Sequence, residues 1–183
     1  MNAYELAKAE IGTVEWGNGS NPKVVAYFRD AGQPGVTDDA TAWCAAFVGA
    51  MIKRAGGNPT GSLMARSYLT WGNPVDLKDA REGDIAVFSR GNSSWQGHVA
   101  FFVKENASTL TVLGGNQSDQ VKLSTYPKSS LLSIRRAKAS QEPPFLNKPS
   151  IPAQTPASRP VGLVGALAAI FAAFFRNNKG PKP

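Results

Sequence analysis

Between Ala3 and Ala55 the apolar side chains recur at helical spacing, whereas beyond Asp84 they come in short β-branched runs. Tyr4, Leu6, Ala7 and Ile11 mark one amphipathic helix that stops at Gly12. Asn21-Pro22 offers an N-cap and a first-turn proline for a second helix, whose apolar face is Val24, Val25, Tyr27 and Phe28 and which ends at Gly32. A third helix is expected over Ala42 to Ala55, capped by Thr41 and closed by Gly56-Gly57. Its Ala45, Phe47, Val48, Met51 and Ile52 make it mostly buried, with Cys44 in the first turn. A Gly/Pro/Ser loop then leads to a short helix over Leu63 to Trp71. From there the period changes. Ile85 to Phe88, Val99 to Val103, Thr109 to Leu113, Val121 to Thr125 and Leu131 to Arg135 are each rich in Val, Ile, Phe, Leu or Thr and bounded by Gly, Asn, Ser or Pro, the pattern of strands. Helices first and strands second predict an α+β domain, its N-terminal helices packed on an antiparallel sheet of about five strands.

After Ala137 the pattern stops. Pro143, Pro144, Pro149, Pro152, Pro156 and Pro160, with Ser, Ala and Gln between them, describe a semi-rigid extended linker. It leads to an uninterrupted apolar run, Val161 to Phe175, and then to Arg176, Lys179 and Lys182. The expected organisation is therefore a catalytic-sized domain at 1–137, a linker at 138–160, an apolar helix at 161–175 and a basic tail at 176–183. The apolar run is shorter than the roughly 20 residues that span a hydrocarbon core and has no polar face. Separated from the domain by the linker, it reads as a membrane-associating segment rather than a core helix. The cations after it would leave the C-terminus on the cytoplasmic side and the domain on the wall side.

Composition narrows the function. Hydrophobic residues are 42% and charged residues 18%, enough apolar surface to build a core. The net charge of +7 raises the question of nucleic acid, but residues 1–137 hold 14 Lys/Arg against 12 Asp/Glu and the remainder 6 against 1. Most of the excess lies in the tail. With no basic run, recognition helix or zinc-finger spacing, an anionic lipid or wall polymer is the expected partner and nucleic acid is not. The chain has one cysteine and one histidine. No intramolecular disulfide can form, and a zinc site, structural or catalytic, lacks ligands. No metal or other cofactor is expected. MNAYELAKAEIG carries charges where a signal peptide needs an apolar core, so no cleavable export signal is visible.

The same scarcity gives the two residues meaning. A thiol attacks as thiolate, and the first turn of a helix lowers its pKa while offering free amides to an oxyanion. On position alone, however, a lone Cys in an apolar helix is more often a small core residue. His98 follows Trp95-Gln96-Gly97 and opens an apolar strand, as either a surface residue or a rigidly held base. The next strand ends in Gly114-Gly115-Asn116-Gln117. If the two strands form a hairpin, Asn116 comes beside His98, where its amide oxygen could accept the imidazole N–H; the plainer role for Asn116 is a turn residue.

The segments Ala42-Trp43-Cys44-Ala45-Ala46-Phe47-Val48, Gly83-Asp84-Ile85-Ala86-Val87-Phe88, Gly97-His98-Val99-Ala100-Phe101-Phe102 and Gly114-Gly115-Asn116-Gln117 resemble, in order, the CHAP and NlpC-type families of cell-wall peptidases and amidases, a bacteriophage subgroup especially. The resemblance covers roughly residues 1 to 137. It implies a reduced papain-like fold and cleavage of an amide bond in peptidoglycan, with Cys44 as nucleophile, His98 as base and Asn116 as the third polar residue. Papain-like enzymes often place a glutamine shortly before the cysteine to complete the oxyanion hole; this chain has Asp38 and Asp39 there.

Trp43, Arg66, Ser67, Trp71 and Trp95 fall in or near the loops expected around Cys44 and are the candidate substrate contacts, Arg66 toward a stem-peptide carboxylate. The expected role is a lytic enzyme, an endolysin or a virion component. It would be delivered to the wall side of the envelope without a cleavable signal, through a membrane anchor, a holin-like pore or a virion. Two alternatives stand beside it: an inactive wall-binding module, and a lysozyme-like glycosidase drawing two carboxylates from Glu15, Asp39, Glu82 and Asp84.

Overall fold

A computed structural model describes residues 1–138. The expected linker from residue 139 onward, the apolar run Val161 to Phe175 and the basic tail lie outside the described residues. Three α-helices, α1 (Ala3–Ala9), α2 (Pro22–Asp30) and α3 (Cys44–Arg54), precede a 3-10 turn at Ala65–Thr70. Six strands follow, β1 (Asn73–Val75), β2 (Ile85–Ser89), β3 (Gly97–Glu105), β4 (Thr109–Gly114), β5 (Lys122–Pro127) and β6 (Leu131–Arg136). They form one antiparallel sheet in the order β1-β6-β2-β3-β4-β5. The architecture is α+β, as the change of period indicates. The additional strand is β1, three residues with Pro74 at the sheet edge, where a missing N–H costs no ladder bond.

α2 starts as its sequence reads, the Asn21 side chain accepting from the Lys23 N–H ahead of Pro22. α3 does not. Thr41 spends its N–H and its hydroxyl on Asp38 Oδ1, at 3.0 and 3.1 Å, so it cannot cap, and the helix begins two residues later than expected, at Cys44 itself.

α3 is the buried strut of the molecule. Every residue from Cys44 to Ile52 is buried, and the helix packs between α1 and α2 on one side and the sheet on the other. The cluster on that side joins Ala7, Val24, Tyr27, Phe28, Phe47, Val48 and Met51 to Ile85, Val87, Val99, Phe101 and Leu113. The alternate residues of the same strands, Ala86, Phe88, Ala100, Phe102, Leu110 and Val112, make a second cluster on the other face. This is why β2 and β3 read as unbroken apolar runs instead of alternating ones. Val75 from one edge strand and Tyr126 from the other pack on that second cluster. Among the described residues no helix is long and apolar enough to cross a membrane.

Candidate active site

Cys44 is the first residue of α3. The N-cap residue, Trp43, makes no side-chain capping bond, so the opening amides of the helix have no side-chain acceptor. The thiol is enclosed, the residue 9% exposed. Burial is the dominant influence on it and pushes its pKa up; the N–H groups of Val99, Ala45 and Cys44 itself, directed at the sulfur, and the Arg90 charge pull the other way without overcoming it. The resting sulfur is a protonated thiol.

His98 is the second residue of β3, opposite Phe88 of β2. Its imidazole lies flat on the Tyr126 ring, 5.0 Å between centroids and 16° between planes, and Tyr126 stacks in turn on Phe88. The enclosed side-chain polar atoms of the described residues that have no hydrogen-bond partner are His98 Nε2 and Gln117 Oε1. They are neighbours beside Gly114, where an added Cβ would stand 3.3 Å from Nε2 and 3.2 Å from the Gln117 Cδ. Gln117 cannot turn its amide over, because its nitrogen already donates to the carbonyls of Gly114 and Lys122. Its oxygen is left without a donor next to the ring, and a proton on Nε2 is the tautomer that would offer one, with the lone pair then on Nδ1. Burial lowers the His98 pKa to about 4, with the Arg90 charge adding to burial and the Gln117 bond opposing both. At neutral pH His98 is uncharged.

Cysteine and histidine are brought to one corner. Val99, which follows His98, aims its N–H at the sulfur, and Tyr126, which stacks on His98, has its hydroxyl pushed up by burial and then by the nearby Cys44. Sulfur and imidazole make no hydrogen bond to each other at rest. The approach of sheet to helix is set by Gly115, where a Cβ would lie 2.5 Å from Trp43 Cζ3 and 2.6 Å from Phe47 Cβ. Only a glycine lets the end of β4 lie this close to the first turn of α3.

The side chain that reaches the imidazole is thus Gln117's. Asn116 adopts a left-handed backbone, φ +54°, a conformation that asparagine tolerates better than most residues, and its side chain makes no hydrogen bond to any described residue. Ser118 and Asp119 are left-handed as well, a tight loop that turns Gln117 inward.

The five candidate substrate contacts divide. Trp43 is a fully buried core residue with its indole N–H donating to Glu15, whereas Trp71, buried with its N–H on the Asn58 carbonyl, helps with Ser67 to line a surface cavity. Arg66 donates to the carbonyls of Gln96 and Ser93, at 2.7 Å each, so its guanidinium braces the β2–β3 turn instead of awaiting a carboxylate. Ser67 pairs with the Thr60 hydroxyl. Trp95 alone of the five is open to solvent, 63% exposed on the turn that Arg66 braces.

The acidic residues are also committed. Asp38 holds Thr41, and Asp39 accepts the N–H groups of Trp16 and Asn21, so neither replaces the missing oxyanion glutamine. Glu15 takes the Trp43 indole, Glu82 the Tyr4 hydroxyl, and Asp84 a two-point bond from Arg136. A cavity of about 260 Å³ is lined by Ile52, Ala55, Tyr4 and Phe101 among others, at the opposite end of α3, about 12 Å along its axis from Cys44.

Residues 36–116 match the model of the CHAP domain family, a range that runs from ahead of Cys44 through His98 to Asn116. Over that range the chain is similar to CHAP domains. CHAP domains are typically cysteine/histidine peptidase-amidases acting on peptidoglycan, and the Cys44–His98 corner lies within the matched range. Gln117 falls one residue beyond it. No curated protein matches the chain.

Proposed function

We propose that this domain hydrolyses an amide bond of peptidoglycan, within the stem peptide or at its link to muramic acid, with Cys44 as nucleophile and His98 as base. The observation that carries this reading is the placing of two enclosed atoms without partners, His98 Nε2 and Gln117 Oε1, side by side at Gly114: a proton on Nε2 facing that oxygen leaves the basic lone pair of His98 on Nδ1. Because thiol and imidazole are both neutral at rest, proton transfer is the first event. His98 Nδ1 takes the Sγ proton as substrate excludes water and tightens the geometry. The thiolate attacks the carbonyl carbon, and the charge that develops on oxygen is met by the uncapped amides of α3. Collapse breaks the C–N bond, and the His98 proton passes to the leaving amine. Water then attacks the thioester, giving one proton to His98, and the C–S bond breaks to return the thiol and release a carboxylic acid.

Analysis of the products tests this directly. Purified peptidoglycan digested by the protein is expected to release new amino groups in equal number to new carboxyl groups, identified by mass spectrometry, with no new reducing sugar ends. Reducing ends without amines would establish a glycosidase and overturn the proposal. The commitments of Glu15, Asp39, Glu82 and Asp84 to structural partners count against that outcome. We infer in addition that the protein serves as a lytic enzyme, an endolysin or a virion component, acting on the wall side of the envelope and touching the membrane through Val161 to Phe175. What supports this is the apolar run with its basic flank and the wall polymer on which CHAP domains act.

A further inference from the structure

The turn between β2 and β3 is built with more care than a simple connection needs. Arg66 reaches in from the 3-10 turn Ala65–Thr70 to hold the carbonyls of Ser93 and Gln96, and Ser93 Oγ accepts the Gln96 N–H at 3.0 Å. A turn fixed in this way presents its side chains at a set position, which lowers the entropy lost when something binds them. Two of those side chains are left without partners. Trp95 is exposed, and the Arg90 guanidinium makes no hydrogen bond or ion pair with any described residue.

Arg90 directly follows β2. The β2–β3 ladder pairs Phe88 with His98 and Ser89 with Gly97, so Arg90 stands one step past the last rung and, by strand alternation, on the face that carries the Phe88, Tyr126 and His98 rings. Its charge is felt by Cys44, His98 and Tyr126 together, so it lies within electrostatic reach of all three. Three other arginines near the sheet are occupied: Arg66 on the turn, Arg135 on the carbonyls of Trp71 and Gly72, Arg136 on Asp84. An unpaired guanidinium at the mouth of a cysteine site is a receptor for an anion, and the polymer on which CHAP domains act carries free carboxylates along its stem peptide.

We propose that Arg90 selects substrate by charge: its guanidinium receives a free stem-peptide carboxylate close to the scissile amide and so seats that amide against Cys44. Trp95, on the same braced turn, offers an apolar plane beside the bound peptide. This rests on the hydrolase reading above, and it assigns to Arg90 the role that the sequence suggested for Arg66.

The test separates binding from turnover. In a Cys44→Ala background, which cannot acylate, affinity is measured by calorimetry for two soluble stem peptides, one with its side-chain and α-carboxylates free and one with them converted to carboxamides. The parent is expected to bind the free acid at least about tenfold more tightly, adding Arg90→Gln is expected to erase the difference, and Arg90→Lys to restore part of it, as a point charge replaces a two-point donor. A parent with no preference for the free acid overturns the inference. So does an Arg90→Gln protein that keeps the preference: Arg90 would then act only on the Cys44 thiol, slowing hydrolysis of both substrates alike. Failure of the hydrolase reading shows separately, as a Cys44-containing protein that releases no amine from peptidoglycan while the carboxylate preference is still there.

Discussion

A glutamine whose amide nitrogen is spent on two carbonyls can offer a neighbouring imidazole only its oxygen, and on this ground we propose Gln117 as the residue that positions His98. Gln117→Leu removes the acceptor, frees the ring to adopt the other tautomer and is expected to lower kcat about 10- to 100-fold with little change in KM. Asn116→Ala is expected to leave kcat within about twofold while costing about 1 kcal/mol for its left-handed backbone. The reverse pattern would return the orienting role to Asn116. The two positions could not be told apart in the sequence, because register alone puts Asn116 opposite His98; what turns Gln117 inward is a run of left-handed residues that no spacing rule announces. Cys44 and His98 were legible as candidates for a simpler reason, each being the one residue of its kind. The burial of Trp43 was not, since the same side chain that can line a groove can also fill a core.

The state of His98 has a second consequence at this scale. Its folded pKa of about 4 lies below its ordinary value of 6.5, so the unfolded chain takes up a proton that the folded protein refuses. The stability contributed by the neutral imidazole is complete above pH 6.5 and drains away as pH falls toward 4, a loss of roughly 2 to 3 kcal/mol. Urea midpoints measured at pH 7 and pH 4.5 are expected to fall further for the wild type than for His98→Gln. Equal falls would place the imidazole in a solvated setting at odds with its enclosed Nε2.

At the scale of elements, the period change after Trp71 located every strand except β1, which is three residues long and interrupted by proline, too short for alternation to register. The helices were equally plain except at the one boundary that matters most. Thr41 has the composition of an N-cap, but Asp38 captures its hydroxyl, and the two-residue shift puts Cys44 at the opening of α3 instead of within its first turn. That capture is a contact between side chains, invisible to a reading that scores each cap by residue type. Its effect is to leave the helix's amides uncapped beside the sulfur. The packing of the sheet's second face was likewise hidden; it stacks Tyr126 on Phe88 and on His98.

For the whole molecule, the charge asymmetry between the nearly balanced residues 1–137 and the basic remainder motivates the envelope assignment. Full-length protein is expected to sediment in part with membranes, and a chain ending at Ala157 to stay in the supernatant; equal partition of the two would remove the membrane contact. The domain's chemistry does not depend on that result. It depends on one sulfur atom, and the most direct measurement is the rate at which Cys44→Ala releases amines from purified peptidoglycan, alongside wild-type protein at the same concentration and shown by circular dichroism to be equally folded. The expected outcome is a loss of at least about 1,000-fold, to the level of the blank. Release at an undiminished rate would contradict the assignment of Cys44 as nucleophile.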